Sequence, residues 1–216
     1  MRIRTGTHPG IRRRARQGGQ EYRGVVAVVG PPLVLFVPLA AWVTSGRALP
    51  FDQAFYQHLA QPGNRRLTHL AWLAVGLGSA GAIVGPFTVL ALFAIRQRRR
   101  AVIVAASGLG ALALNLALKH LFHRTRPGEA APAYLFPSTH MVLTVVVYGM
   151  LAGLMGMHVR RPLRLLIACV GTCLVLCVGL SLVYLGQHYL TDVIGALLIG
   201  GAWLYVALAL LGQAAP

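Results

Sequence analysis

Apolar runs separated by short polar breaks predict a chain that crosses a membrane repeatedly. After a polar, arginine-rich opening over residues 1–23, apolar segments occupy 24–44, 70–95, 101–122, 138–157, 165–185 and 190–211. Most reach the roughly 20 residues that a helix needs to cross a hydrocarbon layer of about 30 Å. Pro31, Pro32 and Pro38 predict a kinked first helix, and Pro86 interrupts the glycine-rich second. Residues 47–69 mix apolar and polar positions. Phe51, Phe55 and Leu59 recur there every four residues, the spacing of a short amphipathic helix lying at the membrane interface. The expected fold is all-α: a basic tail over 1–23, retained rather than cleaved as a signal peptide, and a six-helix membrane domain over 24–213.

Composition agrees with that pattern. Of 216 residues, 56% are hydrophobic and 11% charged, whereas a soluble domain carries about 25% charged residues. Twenty Lys and Arg stand against four Asp and Glu, a net charge of +16. In a soluble protein such a balance suggests nucleic acid. Here fourteen of the twenty cations fall in the tail, in 96–100 and in 160–164, all on one side of a six-span chain. The positive-inside rule makes that side cytoplasmic. Both termini are then inside, and 45–69, 123–137 and 186–189 face the periplasm or exterior of a bacterial inner membrane. A nucleic-acid partner is excluded. Cys169, Cys173 and Cys177 form a stripe at helical spacing with no His, Asp or Glu beside them, as small packing residues in a lipid-embedded helix do.

The remaining polar residues gather at span ends on the predicted outer side, where ionisable groups are costly and often functional. Lys119 and Arg126 lie seven residues apart, two cations on one face if the helix persists, next to Pro127. Ser138, in Pro137-Ser138-Thr139-His140, is a natural N-cap. The free N–H groups of the turn it opens attract anions, with His140 in that turn. His188 and Asp192 form an i, i+4 pair. The carboxylate can hold one imidazole nitrogen protonated and leave the other as a nucleophile or base.

In this order, Lys-x6-Arg-Pro, Pro-Ser-x-His and Ser-x6-His-x3-Asp resemble the three-part signature of the type 2 phosphatidic acid phosphatase family, over Lys119 to Asp192. The resemblance implies a lipid phosphate phosphatase that needs no metal and no other cofactor. His188 would attack phosphorus and form a phosphohistidine, Asp192 would orient its ring, and His140 would protonate the leaving oxygen. Lys119, Arg126, Ser138 and Thr139 would bind the non-bridging oxygens. Polyprenyl pyrophosphate, phosphatidylglycerol phosphate, phosphatidic acid and lipid A phosphates are all family substrates.

Two positions depart from the signature. Thr139 stands where the second motif carries glycine; it crowds the cradle but brings a hydroxyl that could donate to phosphate. Leu182 stands where the third motif carries an arginine that binds phosphate. Arg124 is a candidate substitute, but positions i and i+2 do not share a helix face, so it requires a non-helical backbone. The leading expectation is thus a phosphatase acting on a membrane lipid phosphate. The alternatives are a catalytically impaired lipid-phosphate binder and a lipid phosphotransferase.

Overall fold

The computed structural model describes residues 9–59, 64–122, 124–125, 132–133 and 135–214, with backbone alone at 9–26, 125 and 132–133. Among them the helices are α1 (Pro9–Thr44), α2 (Leu49–Leu59), α3 (Arg65–Ala94), α4 (Arg98–Leu121), α5 (Thr139–Gly156), α6 (Arg161–Tyr184) and α7 (Leu190–Gly212). Two-residue strands β1 (Arg124–Thr125) and β2 (Pro132–Ala133) pair antiparallel between α4 and α5. All helices except α2 are long and apolar enough to cross a membrane, so the chain is a multi-pass membrane protein.

The helix limits differ from the hydropathy limits in instructive ways. The first helix begins at Pro9, well inside the basic opening, because polarity ends a membrane span without ending a helix. For the same reason α3 starts at Arg65. Asn64 caps it, its Oδ1 accepting from the Leu67 N–H at 3.1 Å. Conversely, α4 stops at Leu121 and Phe122 is extended, with φ −118° and ψ 100°. The helix therefore does not persist to position 126, and a shared helical face for Lys119 and Arg126 does not exist.

The core is centred on α5, α6 and α7, with Val75 and Leu92 of α3 and Val104 and Ala111 of α4 joining it. Met141, Val142, Val146 and Met150 pack against Val178, Leu182, Val183, Val193 and Ala196. Helix association in lipid relies on close packing through small residues. Gly149 and Gly153 of α5 receive Leu204 and Leu208 of α7, and Gly200 receives Val145 in return. Leu73, Leu77, Ile83 and Phe87 of α3 stay exposed, as a lipid-facing surface requires. Cys169, Cys173 and Cys177 are likewise exposed on α6.

Smaller aromatic packing fixes one end of the bundle. The Phe136 ring stacks on Phe36 at 5.7 Å and meets Phe122 edge-on at 5.4 Å. It lies so close to Gly195 that a Cβ there would sit 2.6 Å from the ring. Phe136 thereby docks the segment entering α5 onto α7. Gly195→Ala is expected to destabilise the protein by about 1–3 kcal/mol through overpacking, seen as a lower thermal midpoint in detergent. A midpoint equal to wild type would contradict this contact.

Candidate active site

The elements that begin or end at the Phe136 end of the bundle bring the polar residues together. Helix α6 closes in a Schellman turn: the Gly186 N–H bonds to the Val183 carbonyl at 3.0 Å and the Gln187 N–H to the Leu182 carbonyl at 2.9 Å. Gly186 supplies the required positive φ of 68°. The His188 N–H also points to the Leu182 carbonyl, at 3.3 Å. This turn sets His188 immediately before α7.

The start of α7 is then built around two buried carboxylates. Asp192 Oδ2 accepts from the Tyr189 N–H at 3.0 Å and stands 3.4 Å from His188 Nδ1. Asp52 of α2 reaches the same helix start. Its Oδ1 accepts from the Thr191 N–H at 3.0 Å and its Oδ2 from the Thr191 hydroxyl at 2.7 Å. Both aspartates are fully buried. Arg124, on the extended backbone of β1, joins them. Nη1 donates to Asp192 Oδ1 and to the Thr191 hydroxyl, each at 2.6 Å, while Nη2 donates to Asp52 Oδ2. The guanidinium lies 4.5 Å from the centre of the Tyr189 ring, a cation–π contact. Burial raises the Tyr189 pKa, with Arg124 pulling the other way, so the phenol is neutral at physiological pH.

The second histidine enters from α5. Ser138 caps that helix, its hydroxyl accepting from the Met141 N–H at 3.4 Å, and its own N–H bonds to the Asp192 carbonyl at 3.3 Å. His140 follows in the first turn of α5. Its Nε2 presses against Gly78 of α3, where a Cβ would come within 2.7 Å, and it has no hydrogen-bond partner among the described residues. Thr139, expected to offer its hydroxyl to a phosphate, donates instead to Asn115 Oδ1 at 2.6 Å. Asn115 Nδ2 in turn holds the Pro137 carbonyl at 3.2 Å. A threonine hydroxyl has one proton, so in this arrangement it has none left to give a phosphate. Lys119 is half-buried in the last turn of α4. Arg126 lies outside the described residues. Leu182, in place of the signature arginine, is packed in the apolar core.

Histidine, serine and aspartate from the second and third motifs therefore converge at the starts of α5 and α7. The PAP2 superfamily model matches residues 100–215, more than half of the chain and all of these motif residues. The chain belongs to the PAP2 superfamily. A curated relative, phosphatidylglycerophosphatase B of Bacillus subtilis (strain 168), is 35% identical over 95 residues, 40% of this chain and 46% of that protein. The match thus spans just under half of that relative's length.

Solved structures share the fold. A transmembrane PAP2-type phosphatidylglycerolphosphate phosphatase from Bacillus subtilis superposes with a TM-score of 0.71 at 22% identity, covering 83% of this chain and 94% of the other. LpxE of Aquifex aeolicus superposes with a TM-score of 0.56 at 18% identity, covering 72% and 93%.

Within this PAP2 member, Asp52, Thr191 and Asn115 are site residues that motif reading missed. Asp52 had a signal: it is one of four acids in the whole chain, placed in an otherwise apolar-to-neutral helix. Asp52→Asn would set an amide N–H₂ against two donors, or lose the Thr191 N–H acceptor. Breaking a buried ionic pair costs about 3–5 kcal/mol. The expected result is a large fall in thermal midpoint, whereas Asp52→Glu, which restores the charge, recovers part of it. Wild-type stability in Asp52→Asn would show that the aspartate is dispensable to the bridge.

Proposed function

We propose that the chain is a membrane lipid phosphate phosphatase working through a phosphohistidine, with its site on the periplasmic or outer face, opposite the arginine-rich turns. The observation that carries the reading is the His188–Asp192 pair, set in a turn and a helix cap beside His140. His188 Nδ1 stands 3.4 Å from Asp192 Oδ2 without a hydrogen bond between them; in the proposed scheme a small rotation of the ring directs the Nδ1 proton to that carboxylate and leaves Nε2 unprotonated. That lone pair attacks phosphorus as the bond to the leaving oxygen breaks, and His140 supplies the proton the leaving oxygen takes up. Because Nε2 of His140 is packed on Gly78, delivery uses Nδ1 or a rotated ring. Water then attacks the phosphohistidine, the P–N bond breaks, and inorganic phosphate leaves. No metal enters this scheme.

The negative non-bridging oxygens meet the unbonded N–H groups at the start of α5, Lys119 and Arg126. Arg124 has a different part. Its fork is occupied by Asp52, Asp192 and Thr191, so its principal role is to fix Asp192, and through it the His188 ring. The substrate class is a lipid phosphate or pyrophosphate of the polyprenyl, glycerophospholipid or lipid A type.

A second reading has one observation in its favour. Leu182 removes a cation that the family's third motif supplies, and the structure buries the leucine instead of replacing that charge. A lipid-phosphate binder with little turnover would look the same. The readings separate by phosphate release in proteoliposomes against a panel of lipid phosphates. Release well above that of His188→Ala, with 32P trapped on wild-type protein only, is expected. Activity equal to His188→Ala would remove the phosphatase reading, and label leaving on a second lipid would make the protein a transferase. In the same assay Arg124→Ala should lose about 10²–10³ in rate, while Arg47→Ala, at an exposed position, should not. Equal activities would sink the role given to Arg124.

A further inference from the structure

At the opposite end of the bundle, a cavity of about 830 Å³ opens between α5, α6 and α7. It contains none of the catalytic candidates. Its walls are largely apolar, with Leu204 and Leu208 seated on Gly149 and Gly153 and with Gly201 open, and its far end carries Arg100, Arg164 and His158. Along α5 it runs from Val145 to Gly156, about 16 Å at 1.5 Å per residue. That is close to half of a hydrocarbon layer about 30 Å thick, the depth of one leaflet.

Among the described residues, none neutralises the cationic end. Arg100 is 6% exposed, and its Nη1 donates to the neutral Gln97 Oε1 at 2.7 Å. Arg164 donates from Nε to the Gly156 carbonyl at 2.9 Å. Among the described residues no carboxylate lies within ion-pair distance of either; Asp52 and Asp192 are both engaged by Arg124 at the other end. A buried guanidinium without a counter-ion is costly, and a neutral amide does not remove that cost. A long apolar slot ending at one buried and one exposed guanidinium, neither paired with a carboxylate among the described residues, matches an anionic headgroup joined to an acyl chain.

We propose that this groove is a binding site for an anionic glycerophospholipid of the leaflet at the arginine-rich end, separate from the site that holds the substrate. The phosphate would sit between Arg100 and Arg164, with one acyl chain lying along the slot past Leu208 and Leu204 towards Gly201. The proposal goes beyond the catalytic reading and does not depend on turnover.

Native mass spectrometry of the full chain in neutral detergent tests it, with dioleoyl phosphatidylglycerol and dioleoyl phosphatidylcholine as probes. The expected result is phosphatidylglycerol retained at least about tenfold more tightly, as one charge-assisted contact allows. Arg100→Gln and Arg164→Gln should each remove most of that preference. Arg164 is exposed, so its variant carries the test even if Arg100→Gln fails to fold. Gly201→Leu should abolish the tight binding. Position 201 has open space where a side chain would begin, so leucine fills the groove without touching the histidine end. Equal retention of the two lipids, or wild-type retention in both Arg164→Gln and Gly201→Leu, would overturn the proposal. So would binding of free glycerol phosphate as tight as that of phosphatidylglycerol, since the acyl slot would then contribute nothing.

Discussion

One guanidinium bridges two carboxylates that have no contact with water. Arg124, on a two-residue strand, is held between Asp52 from α2 and Asp192 from α7. Any one of the three charges left alone at this depth would be strongly unfavourable, so each requires the other two to be in place. The consequence is architectural as much as electrostatic. The bridge ties the connection after α1, the connection after α4 and the start of α7 to one point, and His188 and Ser138 are both set by that point. A planar fork with several donors suits the task, since it can serve acceptors in different directions where an ammonium cannot fix their geometry as well.

The same bridge accounts for how the site can lack the arginine at position 182 and still hold its remaining parts in register. In this chain a cation lies beside the His188–Asp192 pair, but it arrives from β1 and grips the carboxylate. Leu182 meanwhile extends the apolar core of α5, α6 and α7, and its carbonyl anchors the turn that carries His188. Position 182 thus contributes to the site through its backbone. Its side chain has been turned over to packing.

Much of this was legible in the sequence, for physical reasons that also set the limits. Hydropathy revealed the six spans because lipid demands uniformly apolar surfaces. It misplaced the starts of α1 and α3, because a helix continues into water without a change in backbone. The Ser138 cap and the closeness of His188 to Asp192 follow from local spacing, and so were readable from neighbouring residues. Asp52 was legible only as a scarce acid and not as part of a site, because its partners lie 72 and 139 positions away. The Thr139 hydroxyl was misdirected for a related reason. Asn115 is half a bundle away in sequence, yet it faces Thr139 across α4 and α5. Arg124 was readable only as far as the need for a non-helical backbone, which the β1–β2 ladder supplies.

The cap of α7 carries a consequence for how this protein could change over time. Asp192 accepts the Tyr189 N–H as part of the helix cap and, through the same oxygen, faces His188. One atom thus holds the helix cap and faces the imidazole on which the proposed chemistry rests. A lineage that abandoned turnover could drift freely at an ordinary catalytic carboxylate, but here it would lose the start of α7 by doing so. The aspartate is expected to outlast the activity, and its presence in a relative is evidence of the scaffold before it is evidence of an enzyme.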